Sequence, residues 1–157
     1  IERIRDRYNV MVYLEPGEAV ALNAGYLVTE VMDIVDNGIK TLILDASAAC
    51  HMPDVLEMPY TPPLEGAVIA SDEEVKEAFL YRLSSYTCLA GDIIGDYTFD
   101  HEIHIGDRLV FKDMAIYSMV KNNTFNGIPL PSIYKLSGTE CSLVKKFGYS
   151  DFKERLS

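Results

Sequence analysis

LVTEVMDIVDNGIKTLILDAS, residues 27–47, decides how the rest of the chain is read. Two runs rich in Val, Ile, Leu and Thr flank Asp36-Asn37-Gly38, and Asn-Gly between apolar runs is a strong hairpin signal because both residues tolerate positive φ. Downstream, short apolar stretches alternate with turns: VLEMP (55–59), GAVIA (66–70), EAFLYRLSSYT (77–87), EIHIGDRLVF (102–111), SIYKL (132–136) and ECSLVKKF (140–147). Turn-punctuated strands without long helices predict a mainly β fold, an antiparallel barrel or sandwich over about residues 29–157, with a terminal helix in YSDFKERL (149–156).

Upstream the pattern changes. NVMVYLEPGE (9–18) holds a continuous apolar run, Val10 to Leu14, closed by Pro16-Gly17. Such a run reads as a strand buried on both faces, of the kind parallel sheets contain. GEAVALNAGYL (17–27) then has helix-forming residues over two to three turns. Nothing downstream resembles a second strand-helix-strand unit, so residues 1–28 are read as the closing strand and helix of an α/β layer whose other strands lie elsewhere.

A chain of 157 residues can bury one sizeable core. Its 24 acidic against 14 basic residues give −10 at pH 7, a field that repels nucleic-acid backbones and anionic membranes and favours a cationic ligand. Cys50, Cys88 and Cys141 cannot pair completely and have no metal-ligand spacing, which points to free thiols in a reducing compartment, the cytoplasm. No apolar run reaches the ~18 residues of a membrane span. The start, IERIRDRYNV, lacks an initiator Met and an apolar signal core, so the sequence is expected to be a piece of a longer protein.

Four segments combine polar residues and glycines in ways a core does not require. Glu15-Pro16-Gly17-Glu18 follows the buried strand, at the carboxyl end where α/β sheets place ligands, although a glutamate there can equally be solvated or cap the next helix. Cys88-Leu89-Ala90-Gly91-Asp92 puts a thiol on a loop beside a carboxylate, a candidate acid, base or nucleophile against the alternative of an inert buried thiol. Tyr117 precedes an Asn-rich loop, where its hydroxyl can meet an anion or simply remain wet at the edge of a core. His51, Asp54 and Glu57 crowd the exit of the LILDAS strand, and His51 by itself reads as a solvated or hydrogen-bonded loop histidine rather than a ligand. His101 and His104 have no cysteine nearby, so no zinc site is expected.

Taken in order, EPGEAVALNAGYLVTEV, LDASAACHMPDVLEMPY, CLAGD and GDRLVFKDMAIYSMVKNNTFNG resemble the carboxyl-terminal half of the fold-type III pyridoxal-phosphate decarboxylases, the group that includes ornithine, diaminopimelate and carboxynorspermidine decarboxylases. The wording of CHMPDVLEMPY and CLAGD is nearest the carboxynorspermidine branch. The resemblance implies a (β/α)8 barrel that carries pyridoxal 5'-phosphate on a lysine near its first strand, followed by a β domain that completes the site across a homodimer. Residues 1–28 would then end the barrel, and residues 29–157 would form the β domain. The lysine-bearing part is not in this text. The resemblance implies that Glu15 faces the pyridine nitrogen, that Gly17 lets the backbone approach the cofactor, that Tyr117 binds its phosphate, and that Cys88 returns a proton to the substrate's α-carbon.

Departures from the family pattern bear on the substrate. Diaminopimelate enzymes carry arginine after EPG and in the segment matching HMPDVLEMPY, to hold a distal carboxylate. This chain has Glu18 in the first place, with Asp54 and Glu57 in the second. Exchanging cation for anion reverses the preferred ligand charge. Leu89 stands where ornithine and diaminopimelate enzymes have an acid, which moves amine binding to Asp92, Asp54 or Glu18, with His51 and Glu57 as further candidates. The implied activity is decarboxylation of a carboxylated triamine, carboxynorspermidine or carboxyspermidine. The rivals are diaminopimelate decarboxylation and a non-catalytic domain that binds polyamines or regulates a partner.

Overall fold

The computed structural model describes residues 1–70 and 79–156. Helix α1 (Glu2–Tyr8) and helix α2 (Gly17–Ala21) precede β1 (Tyr26–Asp36) and β2 (Lys40–Leu44). Short helices α3 (Ala48–His51) and α4 (Asp54–Glu57) lead to β3 (Ala67–Ile69), β4 (Phe79–Ser85), β5 (Ile93–Phe99) and β6 (Arg108–Lys112). Helix α5 (Tyr117–Val120), the hairpin β7 (Ile133–Ser137) and β8 (Glu140–Lys145), and helix α6 (Tyr149–Leu156) complete the order.

The Asn37-Gly38 hairpin forms as the sequence predicts. Asp36 pairs with Lys40 across a three-residue turn. Gly38 takes φ +86°, a conformation L side chains rarely adopt, and its N–H donates to Asp36 Oδ1 at 3.1 Å. The sheet order is β3-β5-β4-β2-β1-β6. It curls back on itself, because the residues entering β3 pair with β6 at the other edge: Lys112 N–H donates to Pro63 O at 2.8 Å and Glu65 N–H to Val110 O at 2.9 Å. Tyr97 of β5 and Phe111 of β6, with three strands between them in the order, therefore meet edge-on with centroids 6.4 Å apart. Inside the curl lie Val31, Leu42, Leu44, Leu83, Tyr97 and Phe111, all fully buried. Each such apolar side chain contributes roughly 1.5–3 kcal/mol of burial.

Several expectations change. The purely antiparallel reading misses that β2 runs parallel to β4. VLEMP is not a strand: Asp54–Glu57 is helical. IIGDYTF, within β5, is a strand the pattern passed over, interrupted as it is by Gly95 and Asp96. Residues 77 and 78 of EAFLYRLSSYT lie outside the described residues.

The strand expected at Val10–Leu14 is not formed. These residues have no regular secondary structure, and Met11, Tyr13 and Leu14 are mostly exposed. A strand needs a neighbour to satisfy its backbone, and no described strand lies beside it. The helix expected over two to three turns shrinks to Gly17–Ala21, and α1, a helix without buried residues, was not anticipated. Among the described residues no helix is long and apolar enough to cross a membrane.

Candidate active site

The parallel pair does what an antiparallel sheet would not. Leu44 lies opposite Ser85, so the chain leaves β2 and β4 at the same end of the sheet. From β2 it runs through Asp45–Ser47 into α3 and α4; from β4 it runs through the loop 86–92 that carries Cys88. Asp92 bolts the two exits together. Its side chain is buried, with the residue 1% exposed, and accepts hydrogen bonds from Ser47 Oγ (2.7 Å), Ala49 N–H (3.1 Å) and Thr87 Oγ1 (2.5 Å). Ser47 also caps α3 by accepting from Cys50 N–H at 3.1 Å. A buried carboxylate survives because these donors replace water.

A third segment, 121–129, docks onto α3. Asn123 donates its backbone N–H to Cys50 O (2.9 Å) and its side-chain amide to Ala49 O (2.7 Å). His51 is buried. Its Nδ1 accepts from Ser47 N–H at 3.2 Å, so Nε2 carries the proton and donates to Pro129 O at 3.0 Å. Burial holds the imidazole below its ordinary pKa, in the neutral form this arrangement requires. Burial likewise pushes the Cys50 thiol up. His51 is thus the hydrogen-bonded one of the two forms its sequence left open, solvated or hydrogen-bonded, and it pins the loops together.

Acids line the outer side of α4. Asp54 Oδ2 accepts from Tyr60 OH (2.6 Å) and Ser118 Oγ (3.2 Å), while its Oδ1 is buried with no partner among the described residues. Burial first, and then the bond to Asp54, pushes the Tyr60 phenol up to about 12. Glu57 forms an ion pair with Lys121, whose ammonium also sits 5.5 Å from the centre of the Tyr117 ring. Tyr117, at the start of α5, is 61% exposed.

Cys88 is exposed on its loop, and Asn126 donates a side-chain N–H to its sulfur at 3.1 Å. The structure thus gathers Cys88, Asp92, His51, Asp54, Glu57 and Tyr117 at one end of the sheet. Glu15, Gly17 and Glu18 lie apart from them on the exposed amino-terminal segment. That segment is moored close by, since Asn23 N–H donates to Asp113 Oδ1 (2.6 Å) and Met114 N–H to Gly25 O (3.0 Å). Gly25 is required there, because a Cβ would lie 2.6 Å from Ala115 Cβ, two residues before Tyr117. Tyr60, Ser118, Lys121, Asn126, Ser47 and Thr87 escaped the sequence reading. None of the six stood out by residue type within the segments that hold them.

The family model for the C-terminal sheet domain of pyridoxal-dependent decarboxylases matches residues 8–115. The chain is 45% identical, over 96% of its length and 41% of the relative, to a carboxynorspermidine/carboxyspermidine decarboxylase of Campylobacter jejuni. It is 43% identical, over 94% of its length and 38% of the relative, to a carboxyaminopropylagmatine decarboxylase of Synechocystis. Among solved structures, it superimposes on Campylobacter jejuni carboxynorspermidine decarboxylase complexed with norspermidine with a TM-score of 0.86, at 44% identity, covering 98% of this chain and 44% of that one. The chain spans about two-fifths of the length of these curated relatives. By its matched residues, its curled sheet and the order of its loops, the chain belongs to the family of C-terminal sheet domains of the pyridoxal-dependent decarboxylases.

Proposed function

We propose that this chain is the β-domain part of a pyridoxal-phosphate enzyme that decarboxylates carboxynorspermidine or carboxyspermidine, giving norspermidine or spermidine. The observation that carries the reading is the convergence of three loops that sets a thiol, a free phenol and a patch of carboxylates at one end of the sheet. The 45% identity to an enzyme named for these two substrates supports it. Residues 1–28 would close the barrel that holds the cofactor, and residues 29–157 would form the second domain.

The residues fit the cofactor. Tyr117 presents an exposed hydroxyl with no hydrogen-bond partner among the described residues, suited to a phosphate oxygen. Glu15 is an exposed carboxylate without an ion-pair partner among the described residues, suited to a protonated ring nitrogen. At Gly17 an added Cβ would meet nothing within 4 Å in this chain, so the glycine leaves its backbone open to approach from outside. When bound, pyridoxal phosphate supplies the electron sink that lets the α-carbon part from carbon dioxide. Glu15 keeps the ring nitrogen protonated and Tyr117 holds the phosphate. Cys88 donates the proton that the α-carbon needs.

The distal ammonium falls to Asp54, Glu57 and Glu18. Asp92 and His51 hold the loops instead, since their polar atoms bond to this chain's own hydroxyl and backbone groups. Carboxyaminopropylagmatine is a second reading, favoured by the 43% identity to an enzyme named for it; its cationic tail meets the same acids. We further propose a cytoplasmic homodimer in which Cys88 serves the neighbouring subunit's site. The test is the full-length enzyme with Cys88→Ala, assayed for carbon dioxide release on the three substrates. Turnover should fall at least tenfold with cofactor absorbance retained; unchanged turnover would remove Cys88 from the mechanism.

A further inference from the structure

We infer that Asn126 is a positioning residue for the Cys88 thiol: its side-chain amide donates to Sγ, turns the S–H bond away from itself, and stabilises the sulfur once its proton has left. The inference rests on the reading above, in which Cys88 is the proton donor. Its own ground is the 3.1 Å contact between Asn126 Nδ2 and Cys88 Sγ.

Both partners are held from behind. Thr87, the residue before Cys88, is tied to the buried Asp92 carboxylate, and that carboxylate is tied in turn to Ser47 and Ala49. On the other side, Phe125 N–H donates to Asn123 Oδ1 (3.0 Å), and the buried Thr124 accepts from Arg155 Nη1 of α6 at 3.1 Å. Asn126 itself adopts φ +57° and ψ +17°, a left-handed conformation that Asn tolerates better than other residues carrying a Cβ. The turn therefore selects Asn or Gly, and of the two only Asn has an amide to offer the sulfur.

The chemistry follows from that contact. The S–H bond breaks as a C–H bond forms on the carbon that has lost its carboxylate, which uses the electron pair left by carbon dioxide. The sulfur is left anionic beside an N–H donor, which stabilises it until water returns a proton. With one sulfur lone pair engaged by Asn126, the S–H vector is confined to the open side of the loop.

Asn126→Gly deletes the amide and keeps the backbone, because glycine adopts positive φ freely. The readout is the rate of iodoacetamide alkylation of Cys88 at pH 7.5 in the cofactor-free full-length protein, followed by peptide mass mapping. The nucleophile in alkylation is the anionic sulfur, so losing its donor should slow the reaction about three- to tenfold. A purely structural role predicts the opposite, since a loosened loop exposes the thiol and alkylation stays equal or quickens; either result overturns the inference. In the cofactor-loaded enzyme, kcat should fall about tenfold with KM within about twofold, and an unchanged kcat would also overturn it. Failure of Cys88→Ala to reduce turnover would instead refute the proposed function, and the alkylation result would stand apart from it.

Discussion

Replacing Asp92 tests how the two strand exits are held together. Asp92→Ala leaves three donors facing a gap: Ser47 Oγ, Ala49 N–H and Thr87 Oγ1. A buried donor without a partner costs about 1–3 kcal/mol, and the two hydroxyls can rotate toward other acceptors while the Ala49 amide cannot. The sum is then about 3–5 kcal/mol, within the usual range for deleting one member of a buried charged network. Asp92→Asn is the discriminating variant. Its oxygen can still accept from Ala49 N–H, and its amide can donate to the two hydroxyls once they turn, so the loss should be about 1–2 kcal/mol. These 157 residues have no tryptophan to report on them, so their unfolding in urea within the full-length protein is best followed by circular dichroism. At an m-value of ~2 kcal/mol per M, the alanine variant should lose about 1.5–2.5 M in midpoint and the asparagine variant under about 1 M. Equal losses for the two variants, or a loss below about 0.5 M for alanine, would refute the clamp.

Two further outcomes follow from the same region. Burial holds His51 below the 6.5 of a free imidazole, so between the folded-state value and about pH 6.5 the unfolded chain binds a proton that the folded chain does not; stability must fall as the pH drops below about 6.5. His51→Gln should flatten that acid-side slope in unfolding measurements at pH 5.5 and 7.5, and an undiminished slope would assign it to other groups. Lys121 occupies Glu57 with this chain's own ammonium, in an ion pair whose side chains are 40% and 54% exposed and which a ligand can displace cheaply. Lys121→Gln should therefore lower the KM for a triamine substrate about two- to fivefold, and a raised KM would show that Lys121 orders the site rather than competes for it.

Legibility differed from residue to residue for physical reasons. Asn37-Gly38 announced its hairpin because turn geometry is local: a positive φ has to be met by the residue standing there. The β4 residues Tyr81, Leu83 and Ser85 alternate inward as a half-buried strand requires. VLEMP failed because five residues carry too little periodicity to separate strand from helix. The Val10–Leu14 run was legible as a buried strand only in company, and the described residues hold no neighbour for it. Cys88, Tyr117, Asp54 and Glu57 could be picked out by residue type and by resemblance. Asn126 and Lys121 could not, since their significance lies in contacts 38 and 64 residues away along the chain.

Composition and local pattern were enough for a mainly β fold, its central hairpin, its terminal helix and an acidic character, which depend on neighbours within a few residues or on sums over the whole chain. The family came from the resemblance of four motifs taken in order. Whether β2 lies parallel to β4 depends on how a crossover of some 35 residues packs, and no local signal encodes that. That single pairing brings Leu44 beside Ser85 and lets Asp92 join the two exits. It also turns His51 and Asp92 from candidate ligands into supports of the proposed site, whose exposed groups are Cys88, Tyr117 and Glu57. Burial made the difference: a carboxylate or imidazole reads the same in any sequence, and only its surroundings fix whether it faces a substrate or the protein's own backbone.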